Sequence, residues 1–263
     1  MANPILNEAT FKRVSGTTLP PPDLSTRWDA PTVTAQRADV MTVNGTITAA
    51  LGMFALLLAG GYVGWGTVKV HQGEITSFPS WTIVLVLGGF GLAMLATFKP
   101  HLSRVLAPVY AVVEGVFVGA LSHAYETWQK GIVLAAVGAT LGVFAMMLLL
   151  YRFRIIKVTQ RLRSVIVGAT MGLMVFYLLS ILLHAFGVDI AIINSTSGLG
   201  IAFSVLAAGL AAFNLLLNFD LIERGARSGA PGYMNWFAAL GLVVTVVWLY
   251  LELLRLLSKL QRN

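Results

Sequence analysis

Three carboxylates stand inside long apolar stretches: Glu114 in Val112-Val113-Glu114-Gly115, Asp220 in Asn218-Phe219-Asp220-Leu221, and Glu252 in Leu251-Glu252-Leu253-Leu254. An ionisable group in hydrocarbon is costly unless it is protonated, paired or wetted. Each of the three is therefore a candidate site for sensing or carrying protons or cations. Glu114 falls about ten residues into its apolar run, roughly 15 Å deep at the rise of a helix, with no partner nearby in sequence. Asp220 falls near the end of its run and reads either as a sensor or as a solvated helix end. Glu252 has Arg255 three residues on, on the same helical face, where a local ion pair is the plain alternative. Asn214 and Asn218 lie one turn apart just before Asp220. They read either as amides that join helices or as a polar path to the acid.

Other chemistries find little support. The chain has no cysteine, which excludes disulfides and thiolate ligands. Its four histidines (His71, His101, His123 and His184) are scattered singly, without zinc-ligand spacing. Ser204 does not sit in a GxSxG elbow, and the glycine-rich runs lack the Lys-Ser/Thr pair of a phosphate loop. The expectation is a protein that is not an enzyme and carries no resident cofactor.

The elements that position these acids must be membrane helices. Apolar residues make up 57% of the 263 and charged residues only 11%, against roughly 25% charged in a soluble domain. Seven apolar runs, each about 20 residues, are long enough to span a bilayer. Each must be helical, because backbone polar groups in lipid need partners within the segment. They fall at roughly 45–68, 80–98, 104–124, 131–151, 163–186, 198–219 and 235–257. The fold class is an all-α polytopic bundle over residues 41–263, preceded by a polar, proline-rich tail over residues 1–40. That tail is expected to be disordered and could dock on a membrane surface through Arg27 and Trp28. With the N-terminus inside, thirteen of the 18 basic residues fall in inner segments and five in outer ones, the bias of a cytoplasmic N-terminus. The last run carries Arg255, Lys259 and Arg262 at its far end, so it either crosses fully or enters and stops short. The net charge of +7 is spread over short loops, which suits anionic headgroups rather than nucleic acid. Gly115xxxGly119 and Gly168xxxGly172 have the small-residue spacing of close helix contacts, within one bundle or between two copies.

Two segments carry a family resemblance. Phe213-Asn214-Leu215-Leu216-Leu217-Asn218-Phe219-Asp220-Leu221-Ile222 and Trp248-Leu249-Tyr250-Leu251-Glu252-Leu253-Leu254-Arg255-Leu256-Leu257 resemble the sixth-helix aspartate and the aromatic, leucine-rich last helix of the Bax inhibitor-1 (YccA-like, transmembrane Bax inhibitor motif) family. The run Tyr110 to Ala120 and the triplet Gly142-Val143-Phe144 are similar to that family's third and fourth helices. The resemblance extends from about Met41 to the C-terminus. It implies a seven-helix bundle with the last helix central. It also implies a pH-sensitive calcium leak, in which an acidic pair from the sixth and seventh helices opens or closes the pore. Asp220 matches the first acid, and Glu252 matches the second to within a turn. Lys99 is the candidate for the family's basic latch near the inner end of the second helix. Two carboxylates in contact share a proton, and calcium, which favours oxygen ligands, can replace it. Asp220 and Glu252 are thus the candidate calcium ligands, with calcium as transported ion.

Two other functions stay open. One is an interaction protein that modulates other membrane proteins, such as a quality-control protease, through Phe11 and Trp28 or the basic segment Arg152 to Arg163. The other is a proton-coupled carrier built on Glu114. The composition suits a bacterial inner membrane.

Overall fold

The apolar runs form seven helices, joined by connections in which capping side chains, glycine and proline stop one helix and start the next. The computed structural model describes residues 40–71, 74–77, 79, 81–187 and 195–262. The expected tail, with Phe11, Arg27 and Trp28, lies outside them but for Val40. The helices are α1 (Val43–Trp65), α2 (Thr82–Phe98), α3 (Ser103–Trp128), α4 (Ile132–Arg152), α5 (Gln160–Ala185), α6 (Gly198–Arg227) and α7 (Met234–Gln261). A short antiparallel hairpin, β1 (Lys69–His71) and β2 (Glu74–Ser77), links α1 to α2; the apolar pattern gave no sign of it. The hydroxyls of Thr42, Thr159 and Ser197 accept bonds from Gly45, Leu162 and Gly200. They satisfy N–H groups that the first turns of α1, α5 and α6 leave open. Pro100 follows the end of α2. Between α3 and α4, Gly131 takes a φ of 82°, and Glu126 accepts from Gly131 and Val133 at 2.6 and 3.1 Å.

Six of these helices are long and apolar enough to cross a membrane; α2, at 17 residues, is shorter. The last helix has 28 residues, about 42 Å of length, and it runs the full height of the bundle. Near its start, the Asn235 carboxamide oxygen accepts from Thr42 and Thr46 at 3.0 and 3.1 Å. Near its end, Lys259 reaches the first turns of α6. In place of a short re-entrant segment, the last run is thus one continuous helix long enough to cross. As expected, α7 is central. It packs against α1, α3, α4 and α6 and buries Ala239, Val243, Leu249 and Leu254 completely or nearly so. By contrast, α5 packs chiefly along α6 and exposes Val165, Met171, Leu178 and Leu182, as a helix facing lipid must.

The closest helix pair is α1 and α3, and glycines make it possible. A Cβ on Gly60 would lie 2.6 Å from the Val112 carbonyl oxygen, and Cβ atoms on Gly64, Gly115 and Gly119 would meet the facing backbone more closely still. The Gly115xxxGly119 motif therefore packs within the bundle. Gly168 and Gly172 have open space around them, so the second motif joins no described helix. Overpacking a tight contact costs about 1–3 kcal/mol, occasionally more. Gly119→Ala is expected to lower the thermal midpoint of the detergent-solubilised protein clearly, while Gly172→Ala leaves it within about 2 °C, as a small surface change should.

Candidate proton and cation sites

Helices α6 and α7 run antiparallel, and their hydrogen bonds fix the register. Asn218 Nδ2 donates to Thr245 Oγ1 at 2.7 Å and to the Gly241 carbonyl at 3.4 Å. About 16 residues, or about 24 Å, further along, Lys259 Nζ donates to the Gly200 carbonyl at 2.9 Å and to Ser204 Oγ at 2.8 Å. In this register Glu252 stands level with about residue 209, some 11 residues or about 16 Å from Asp220 along the bundle. The two acids are not brought together. Each is instead paired with arginine, Asp220 with Arg163 and Arg224 and Glu252 with Arg255.

Asp220 does not close its helix, as the sequence suggested; α6 continues for two further turns to Arg227. Its Oδ2 accepts from Arg163 of α5 at 2.8 Å and pairs with Arg224, one turn on, at 2.5 Å. The carboxylate opens on a cavity of about 760 Å³, which Tyr151, Arg152, Arg154, Lys157, Glu223 and Arg227 also line. Glu223 accepts from Tyr151 and pairs with Arg227. This end of the bundle, with Arg163 and Arg224 as well, is strongly basic.

Glu252 is the most enclosed of the three acids, with a side chain only 3% exposed. Its Oε1 accepts from Tyr177 of α5 at 2.8 Å and from Trp248 at 3.3 Å, and its Oε2 accepts from Arg255 at 3.2 Å. Arg255 donates in turn to the Tyr177 hydroxyl at 2.9 Å. The local pair suggested by the sequence is present, and α5 completes it. Phe203 of α6 lies edge-on to the Tyr177 ring at 6.0 Å and closes the knot on its apolar side.

The two asparagines each join helices. Asn214 Nδ2 donates to Thr170 Oγ1 of α5 at 2.8 Å, and Asn218 ties α6 to α7. The polar contacts thus climb from Asp220 at one end to Lys259 at the other. On α5 they fall on Arg163, Thr170 and Tyr177, seven residues apart, a spacing that keeps them on one face. That spacing is the signal by which these residues could have been found in the sequence. Lys259 and Ser204 had no such signal, because only the α6–α7 register brings them together.

Glu114 lies midway along α3 against α2. A Cβ on Gly89 would lie 2.7 Å from its Oε2, with the Tyr110 ring alongside. Among the described residues no hydrogen bond reaches this carboxylate. Lys99, the expected latch, is exposed at the end of α2 and makes no ion pair among them. No group of three or more potential metal ligands gathers among the described residues, so calcium would have to draw its oxygens from elsewhere or from a rearranged bundle.

A helical bundle with six membrane-length helices and buried, arginine-paired acids defines a polytopic integral membrane protein. Its sequence matches the family described as Bax inhibitor 1 like over residues 3–262, and the chain belongs to that family. No curated protein matches it.

Removing one partner of a buried pair strands the other, at a cost of about 3–5 kcal/mol. Arg255→Met is expected to lower the thermal midpoint strongly. Adding Glu252→Gln should restore most of the loss, because the stranded charge is then gone. Equal midpoints for single and double variants would show that the pair carries no such coupling.

Proposed function

We propose that the chain is a pH-sensitive calcium leak, shut while its intramembrane acids are held by arginines. The position of Asp220 supports this reading most. It lies at the mouth of the cavity at the basic end and is tied to α5 through Arg163. Because α5 is the helix least enclosed by the bundle, a tie to it restrains an element able to move. Protonation discharges the carboxylate and removes its attraction to Arg163 and Arg224. Once the arginines withdraw, calcium can take the place of the Asp220 proton, which leaves to solvent in the cavity, and the Glu223 carboxylate and nearby carbonyls are further oxygen ligands of the hard type it takes. The clustering of Arg152, Arg154, Lys157, Arg163, Arg224 and Arg227 supports a cytoplasmic location for this end, and the composition suits a bacterial inner membrane.

Calcium flux in proteoliposomes tests the proposal. Asp220→Asn cannot hold the arginines as a charge. It is expected to raise flux several-fold at neutral pH and to flatten its pH dependence. Flux and pH dependence identical to those of the unaltered protein would defeat the reading.

Glu114 favours a second reading, a proton-coupled carrier, because it is a mid-helix carboxylate without a hydrogen bond among the described residues. On that reading, uptake driven by an imposed pH gradient disappears in Glu114→Gln. Gradient-driven uptake that survives the substitution would remove it.

A further inference from the structure

Helix α4 ends in a cap that usually calls for glycine. The Arg154 N–H bonds to the Tyr151 carbonyl and the Ile155 N–H to the Leu150 carbonyl, both at 3.0 Å, the paired closure of a Schellman motif. The residue after the cap must then adopt left-handed backbone, and Arg154 does so with a φ of 55°. Glycine takes this conformation without strain, whereas a residue with a Cβ does not. Among the described residues Arg154 is the only non-glycine with positive φ. A strained backbone retained under a charged side chain points to a use for that side chain.

The surroundings say what the use is. Arg152, Arg154 and Lys157 all line the cavity of about 760 Å³ at the basic end. The two acids in that cavity are already engaged, Asp220 by Arg163 and Arg224, and Glu223 by Tyr151 and Arg227. The three cations have no hydrogen-bonding or ion-pair partner among the described residues. The rest of the wall is largely apolar and includes Val43, Ile47 and Leu148, all three of which are also exposed on the outside of the bundle. Phe153 and Ile155, on either side of Arg154, are 70% and 68% exposed. Apolar side chains interleaved with cations in this way suit the headgroup layer of a membrane.

We propose that this groove binds one anionic glycerophospholipid. Arg152, Arg154 and Lys157 hold the headgroup phosphate, and an acyl chain lies along Val43, Ile47 and Leu148. Guanidinium forks match phosphate oxygens in geometry as well as charge. The apolar wall requires a hydrocarbon chain attached to the anion, which free phosphate lacks. A zwitterionic headgroup brings its own cation beside the phosphate and is therefore disfavoured among three basic residues. The site does not depend on whether the protein conducts ions.

Arg154→Gly is the most informative variant, because glycine fits the cap better than arginine does. Its thermal midpoint is expected to be unchanged or higher, so weakened binding could not be ascribed to misfolding. The full-length protein is delipidated, mixed with phosphatidylglycerol or phosphatidylcholine, and examined by native mass spectrometry. The unaltered protein is expected to retain phosphatidylglycerol in preference. Arg154→Gly should bind it about fivefold more weakly, the effect of one cation near an anionic lipid. The combination Arg152→Gln, Arg154→Gly and Lys157→Gln should lose the preference. Inorganic phosphate at millimolar excess should not displace the lipid. Equal phosphatidylglycerol retention by the unaltered and triple-variant proteins would overturn the proposal, as would displacement by inorganic phosphate.

Discussion

The structure depends on the cost of leaving a polar group unpartnered in hydrocarbon. Lipid offers nothing to a carboxylate, an amide or an ammonium, so most of those inside the bundle are answered by another helix; Glu114 and the buried Gln129 Oε1 are exceptions among the described residues. This constraint explains why α5 is held at all. Its outward face is ordinary lipid-facing surface, and it has little apolar contact with the centre. What fixes it is Arg163 to Asp220, Thr170 to Asn214, and Tyr177 to Glu252. Lipid tails are as apolar as these helices, so no hydrophobic driving force selects a register between α5 and its neighbours, and α5 has no close glycine packing like that of α1 and α3. Three polar contacts at a seven-residue interval do choose one.

Much of the architecture was legible because it follows from composition. Seven apolar runs of bilayer length, interrupted by charge, proline and glycine, allow only a helical bundle, and the helix ends fall within a few residues of where the interruptions put them. The exception is informative. Asp220 looked like the end of α6 because a charge seemed to mark the water, yet the helix continues to Arg227. A charge with two arginines beside it does not need bulk water, and the run of apolar residues alone could not reveal one of those arginines on another helix.

The sites were legible only in part, for a related reason. Individual acids are conspicuous against an apolar background, and all three were evident at once. Their partners were evident only when local, as Arg255 was for Glu252. Distance between acids depends on the α6–α7 register, and that register is set by Asn218 against Thr245 and Lys259 against Ser204. Neither pairing has a sequence signature. Lys259 shows the difficulty most clearly: read as a basic residue outside the membrane, it is in fact buried against the start of α6.

The separation of Asp220 from Glu252 changes what a proton can do. In a pair of touching carboxylates, the proton relieves repulsion and draws the two groups together. Where each carboxylate instead sits against an arginine, the proton abolishes an attraction and the contact loosens. At the level of Asp220, α7 offers Gly241 and Thr245 in place of a second acid; the nearest carboxylate, Glu223, is on the same helix and held by Tyr151 and Arg227, so loss of the attraction to arginine is the effect that reaches another helix. Acidification would thus act on the α5–α6 contact rather than on α6–α7. The central helix, enclosed by four others, could remain in place while the peripheral one moves. On the proposed reading, protonation of Asp220 acts at the periphery of the bundle and leaves its core in place.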